Sequence, residues 1–309
     1  MIINAIKQNR FYSQYNQKVK SSHGNSPFNG IVLNFRTPLT EDVATFGAIP
    51  PSLEKPKLKK TTVTALRGTL GNFSTEIVKK IRPYQPVIKD VGLKKIVEAF
   101  KEALNPKSDI FKESVEDLKF ILEKDPALKE KDEKEAVIYK SLVITFAHRV
   151  AHDFYKKGET TIARSISEAA KEVTGAEIHP GATIGSQIFI DHPTGLVVGE
   201  VTKIGDRFHG HGNVLLGSDG INKGKDRHPI IGNDVTIWPK ANIHGGKTIG
   251  DYSVIGCNAV VTENVPANST VVGTNLLVKL DGRNTKINLK DYWANLSGDI
   301  TETLSLAHR

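Results

Sequence analysis

Cysteine is nearly absent from this chain: Cys257 is the single one among 309 residues. That excludes an intrachain disulfide framework and any zinc cluster built on cysteines. Long apolar runs are missing too. None reaches the roughly 18 residues a membrane-spanning helix needs. The amino terminus, Met1-Ile-Ile-Asn-Ala-Ile-Lys7, is too poor in apolar residues for a secretory signal, so the cytoplasm is the expected compartment. Aromatics make up only 7% and do not interleave with the basic residues. The net charge of +8 is therefore read as a solvated basic surface, and no nucleic-acid partner is expected.

What the chain does have is a short period. Aliphatic residues fall at Ile178, Ile184 and Ile190, then at Val198, Ile204 and Leu216. They return after a loop at Ile231, Ile237, Ile243, Ile249, Ile255 and Val261. Glycines follow many of them, among them Gly185, Gly199, Gly205, Gly217, Gly232, Gly250 and Gly256. Repeats this short cannot bury a core singly and must stack. Six residues suit one short strand and one turn, and three such units close a triangular coil. The pattern predicts a parallel β-helix over 177–280.

Upstream the period is helical. Leu93, Ile96, Val97, Phe100 and Leu104 mark one apolar face, and Phe111, Val115, Leu118, Ile121 and Leu122 mark another, with Asn105-Pro106 between them. A more apolar helix is expected over Glu135–Tyr155. A last one carries Ile162, Ile166, Ala169, Ala170 and Val173 and stops at Gly175. The resulting organisation is a partly irregular extension over 1–86, whose first 60 residues are rich in Asn, Gln, Ser, Gly and Pro. An α-helical domain over 87–176, the β-helix over 177–280 and a polar tail over 281–309 follow.

Several strings go beyond fold. Glu177-Ile-His-Pro-Gly-Ala-Thr-Ile-Gly185, Ile190-Asp-His192-Pro-Thr-Gly195, Val198-Gly-Glu200 and Asp226-Arg-His-Pro229 together resemble the serine O-acetyltransferases of the hexapeptide-repeat family. Lys124-Asp-Pro-Ala127 resembles that family's Arg-Asp-Pro-Ala turn. Ala147-His-Arg-Val-Ala-His-Asp153 resembles its Tyr-Arg-Ile-Gly-His-Trp helix. The likeness covers about 120–280 and is strongest over 177–261.

The resemblance implies a left-handed β-helix following an α-helical domain, and transfer of acetyl from acetyl-CoA to the hydroxyl of L-serine, the first step of cysteine biosynthesis. His192 takes the position of the general base, a role suited to imidazole because its pKa lies near the working pH. Glu177, where the family carries aspartate, would orient it. Asp125 and Asp191 would take the ammonium of the amino acid. Arg227 would take its carboxylate with a rigid fork, beside His228. Gly217, Pro239 and Cys257 would line the acetyl-CoA groove between neighbouring chains of a homotrimer or dimer of trimers. No metal is expected. Cys257 as a nucleophile finds no activating histidine at suitable spacing.

The chain also departs from the family. Ser141-Leu-Val-Ile144 replaces Gly-Phe-His-Ala, and the loop from Gly217 to Arg227 is longer and carries Asp219. Trp238 stands in place of a glycine. The last residues are His-Arg rather than the isoleucine usual in relatives that dock into cysteine synthase, which argues against that docking. These departures keep three alternatives open: an acyltransferase acting on another hydroxyl- or amino-bearing small molecule, a non-catalytic scaffold, and a metal enzyme like the γ-type carbonic anhydrases. For the last, His192 and His228 have ligand-like spacing; the third expected position is Asn233, for which His209, His211 and His244 are the substitutes.

Overall fold

The structure, a computed structural model, describes residues 57–128, 132–221, 223–224 and 226–297. The expectation for residues 1–56 lies outside the described residues, as does that for 298–309.

The helical region begins earlier than residue 87. Helix α1 (Lys60–Ile81) buries Leu66, Leu70, Ile77 and Ile81 along one face. Val63, Ala65, Phe73 and Val78 of this helix, in the segment expected as an irregular extension, pack against the same core. Helix α2 (Gln85–Ala103) buries Ile96 and Phe100, two of the residues expected on its apolar face. Helix α3 (Asp109–Lys124) starts at Ser108, whose hydroxyl accepts the Phe111 amide at 3.1 Å and so satisfies a free helix donor. Helix α4 (Lys140–Lys156) is shorter than the expected Glu135–Tyr155 at its start: Ala136–Ile138 form a single 3-10 turn and Tyr139 is extended. Helix α5 (Thr160–Thr174) ends at Gly175, whose φ of 79° supplies the left-handed stop.

The parallel β-helix follows. Strands β1 (Glu177–Ile178), β4 (Val197–Val198), β7 (Leu215–Gly217), β10 (Asn242–His244) and β13 (Val260–Val261) form sheet A. Strands β2 (Thr183–Ile184), β5 (Lys203–Ile204), β8 (Ile230–Ile231) and β11 (Thr248–Ile249) form sheet B. Strands β3 (Phe189–Asp191), β6 (His209–His211), β9 (Thr236–Ile237), β12 (Val254–Ile255) and β14 (Ser269–Val272) stack in sheet C. The chain visits A, B and C in turn, making a three-sided prism. The aliphatic residues of the six-residue period point inward: Ile178, Val198, Leu216, Ile243 and Val261 of sheet A are all buried. Corners are tight, and those from B to C use left-handed residues at Gln187, Arg207, Asp234, Tyr252 and Asn268, with φ between 55° and 60°.

The coil length is not constant. Asn242 pairs with Val260, eighteen residues on, which is the plain coil. Asp191 pairs with His211, twenty residues on, whereas Val197 pairs with Leu215, eighteen on. The two extra residues (20 − 18) lie in the first corner from C to A, at 192–196. Leu215 pairs with Asn242, twenty-seven on, so nine extra residues (27 − 18) lie in the corner from A to B after β7, at 218–229.

The helices cover the open edge of the first coil. Buried Asp117 of α3 accepts the Ile188 amide at 2.9 Å, and Ser141 of α4 accepts the Ile190 amide at 2.9 Å. Ser167 of α5 donates to the Ile178 carbonyl at 2.9 Å. Arg149 pairs with both oxygens of Asp117, and Arg207 of the second coil pairs with Glu123 at 2.7 Å. Backbone groups that would otherwise invite another strand are thereby satisfied. At the far end the segment after 280, expected as a polar tail, folds instead. Strands β15 (Leu276–Leu280) and β16 (Arg283–Asn288) form an antiparallel hairpin on β14, followed by helix α6 (Leu289–Ser297). Its turn is Asp281-Gly282 with φ of 47° and 76°, both positive as a tight hairpin turn requires.

Candidate active site

The candidate residues fall on the two corners that flank sheet A. On the corner from C to A, the two-residue insertion pushes His192 out with φ 49° and its side chain 93% exposed. The ring Nε2 stands 3.6 Å from Asp191 Oδ1. Pro239 and Cys257 follow on the same edge in later coils. The stacking is carried by backbone bonds from Gly212 to Asp191, Lys240 to Gly212 and Asn258 to Pro239.

Asp125 reaches this edge through Tyr139, which donates its hydroxyl to Asp125 Oδ2 at 2.7 Å and stacks on Phe189 at 6.5 Å. Burial, and then the bond to Asp125, raise the Tyr139 pKa, so the phenol keeps its proton. Beside Asp191 lies buried His211. Its Nδ1 is 2.9 Å from the Ile237 carbonyl and so carries the proton, which turns Nε2 toward Asp191 Oδ2 at 4.0 Å. Trp238 stacks on His211 at 4.8 Å, and His209 is sandwiched against Phe189 at 4.7 Å. Burial lowers the pKa of both histidines.

Arg227 and His228 occupy the other corner, from A to B, at the end of the nine-residue insertion. Arg227 Nη2 donates to Glu200 Oε2, while Tyr155 of α4 donates to Glu200 Oε1 at 2.8 Å. The His228 ring lies over Gly199, where any Cβ would overlap it. Its Nδ1 accepts the Val201 amide at 3.4 Å, which leaves the proton on Nε2. Burial, and then Arg227, lower the His228 pKa, favouring the neutral ring. Gly217 ends β7 at this same edge.

One chain therefore does not unite the expected set. It gathers Asp125, Asp191 and His192 on one edge with Pro239 and Cys257, and Arg227 and His228 on the other with Gly217. Glu177 joins neither. Its carboxylate pairs with Arg164 at 3.0 Å and with Lys171, both from α5; burial opposes its ionisation, but these cations hold its pKa below the usual value. Among the described residues the ionic partner of His192 is Asp191, not Glu177. Among those residues, too, no three His, Cys, Asp or Glu side chains are grouped to hold a metal, and no helix is long and apolar enough to cross a membrane.

Tyr139 and Tyr155 were not singled out from the sequence, and His209 and His211 entered there only as substitute ligands in the metal alternative. The coil offset carries part of the signal, since a residue twenty after Asp191 is its strand neighbour. Tyr155 comes from α4 and Tyr139 from the extended residue just before it, and no local pattern reveals how that helix docks.

Comparison with known proteins decides the family. Residues 228–263 match the model of the bacterial transferase hexapeptide (six repeats). A serine acetyltransferase of Staphylococcus xylosus is 43% identical over 169 residues, 54% of this chain and 77% of that protein. One of Helicobacter pylori is 43% identical over 157 residues, 51% of this chain and 91% of that protein. The chain belongs to the serine acetyltransferase family. A soybean serine acetyltransferase solved in complex with serine superposes with a TM-score of 0.57 at 32% identity, covering 65% of this chain and 80% of that one. In this member of the serine acetyltransferase family, Trp238, stacked on His211, stands where the resemblance leads one to expect glycine.

Proposed function

We propose that the protein transfers acetyl from acetyl-CoA to the side-chain hydroxyl of L-serine. The carrying observation is the corner insertion that projects His192 beside Asp191, on the edge shared with Pro239 and Cys257, in a chain of this family. His192 takes the hydroxyl proton as the serine oxygen attacks the thioester carbon. It then returns that proton to the departing thiolate, so one imidazole serves as base and acid in sequence. Asp125 and Asp191 receive the ammonium, Arg227 receives the carboxylate, and neutral His228 offers its Nε2–H.

Because these groups stand on opposite edges of sheet A, the working site is shared: the His192 edge of one chain faces the Arg227 edge of the next. Acetyl-CoA lies in that groove, along Pro239 and Cys257 on one side and Gly217 on the other. The outward side chains of sheet A include half-buried Val197, Leu215 and Val260, an apolar face suited to contact with further copies. Cyclic closure makes a homotrimer the natural unit, and the helical region is available to join two trimers. Glu177 is held by Arg164 and Lys171, and Asp191 is the carboxylate that orients His192. A small-molecule biosynthetic enzyme of this kind suits the cytoplasm.

The test is a thiol-release assay with acetyl-CoA over a panel of acceptors, including L-serine, other hydroxyl amino acids and simple amines. Turnover with L-serine above the rest is expected. Turnover with none would favour a scaffold, and preference for a different acceptor would locate the change in the 218–229 loop.

A further inference from the structure

Arg227 does not stand alone at its corner. Glu200, one coil back, accepts from Arg227 Nη2 through Oε2 and from the Tyr155 hydroxyl through Oε1, the latter at 2.8 Å. No other side-chain bond of Arg227 is formed among the described residues, so its remaining donors are free to meet a ligand. Tyr155 is itself fixed from several sides. His179 packs edge-on against its ring at 5.9 Å and 81°. Gly181 leaves space for it, since a Cβ there would come within 2.9 Å of Tyr155 Cζ. Its helix is tied to the first coil by His152, whose Nδ1 donates to the Pro180 carbonyl at 2.8 Å, and by Arg149, which donates to the Gly185 carbonyl at 3.4 Å.

We propose that Tyr155 is a positioning residue for the reaction, acting through Glu200 to aim the Arg227 guanidinium at the carboxylate of the amino-acid acceptor. An arginine on a long corner loop would otherwise sample many rotamers, and ordering it at the moment of binding would weaken the ligand's hold. With one edge of the fork fixed to Glu200, the other is presented in a single direction. The Tyr155 hydrogen bond, followed by the contribution of nearby His179 and of Arg227, keeps the Glu200 pKa low, so the anchor stays charged. Because the tyrosine belongs to α4, the helical region contributes to acceptor recognition as well as to capping.

The inference rests on the reading that Arg227 binds a carboxylate, and its test separates the two. L-serine and L-serinamide, which lacks that charge, are compared as acceptors for the wild type, Tyr155→Phe, Glu200→Gln, their double variant and Arg227→Lys. For Tyr155→Phe the KM for L-serine should rise about tenfold, as for loss of a hydrogen bond to a charged group. KM for acetyl-CoA and turnover of serinamide should stay near wild type. The Tyr155→Phe effect should vanish in the Glu200→Gln background, which a general loss of packing would not do. If Arg227→Lys abolishes the preference for serine while Tyr155→Phe and Glu200→Gln, both folded by thermal melting, leave it intact, the positioning role is overturned and the Arg227 reading stands. An unchanged preference in Arg227→Lys would overturn both.

Discussion

His192 and His228 stand on opposite edges of the same five-stranded sheet, the first on the corner that enters it and the second on the corner that leaves it. The proposed site needs both and is therefore proposed to lie between two chains, and that makes the dependence on assembly testable without a structure of the complex.

Mixing two inactive variants should restore activity. His192→Ala keeps an intact Arg227 edge, and Arg227→Ala keeps an intact His192 edge. Refolded or co-expressed together in equal amounts, they form interfaces at random around a ring, and about one in four joins two intact edges. Recovery to about a quarter of wild-type activity is the expected outcome, with light scattering showing a multiple of three chains of 33.9 kDa. Absence of recovery in a mixture that does form trimers would place the whole site within one chain.

His192→Ala should lower the rate about 10²–10⁴-fold, the usual span of a lost general base. Asp191→Asn should come next, because its carboxylate is the one 3.6 Å from the ring. Glu177→Gln should cost the least of the three, since that carboxylate is occupied by Arg164 and Lys171. Initial rates at saturating acetyl-CoA rank them. A Glu177→Gln defect as deep as that of His192→Ala would reverse the assignment of the orienting carboxylate.

Gly199→Ala is a probe of His228. A methyl at 199 occupies the space of the imidazole, which must move off the coil surface. Serine affinity should fall while the thermal midpoint changes little, because the ring lies on a corner and not in the core. Wild-type kinetics in this variant would argue that His228 is not held where the reaction needs it.

Acid should destabilise the fold from an unusually high pH. His148, buried on α4 with no partner for Nδ1 among the described residues, has its pKa lowered to about 3, chiefly by burial. The unfolded chain takes up that proton near 6.5, whereas the folded chain refuses it until about 3. Stability is therefore full above 6.5 and declines as pH falls, by about 1.4 kcal/mol per unit for this one group. The lowered carboxylates Glu177, Glu200 and Glu123 act only nearer their own lower range, so melts between pH 6.5 and 5 isolate the histidine effect. His148→Phe should flatten the slope of melting temperature in that window. An unaltered slope would mean that other buried histidines, His209 and His211 among them, carry it.

The solenoid was legible because its signal is periodic and inward: one aliphatic residue on every side but that of Gly210, from Ile178 to Val261, admits few other packings. The corner insertion at His192 was legible for the same reason, as a break in a regular count. Helix α1 and the 281–297 segment were not, since each depends on surfaces supplied by distant parts of the chain. The Asp281-Gly282 turn was visible in principle, but isolated from an alternating strand pattern it gave little. Single residues carried less still. Glu177 has the spacing of an orienting carboxylate, yet two cations from α5, at Arg164 and Lys171, determine its partners. Spacing along a chain specifies which coil a residue joins. It does not specify what a helix packed over that coil will bring.

The nine-residue insertion at 218–229 leaves the ladder unbroken: Leu215 still meets Asn242, and the next coil resumes at eighteen. Corners can thus be lengthened, shortened or rewritten while every inward aliphatic residue keeps its neighbour. In evolutionary terms, an acceptor preference set at this corner, as proposed, and the integrity of the scaffold would be separately heritable. A lineage could explore new substrates at this corner with little risk to folding, which makes the loop, and not the coils, the place where relatives of this chain would be expected to diverge in chemistry.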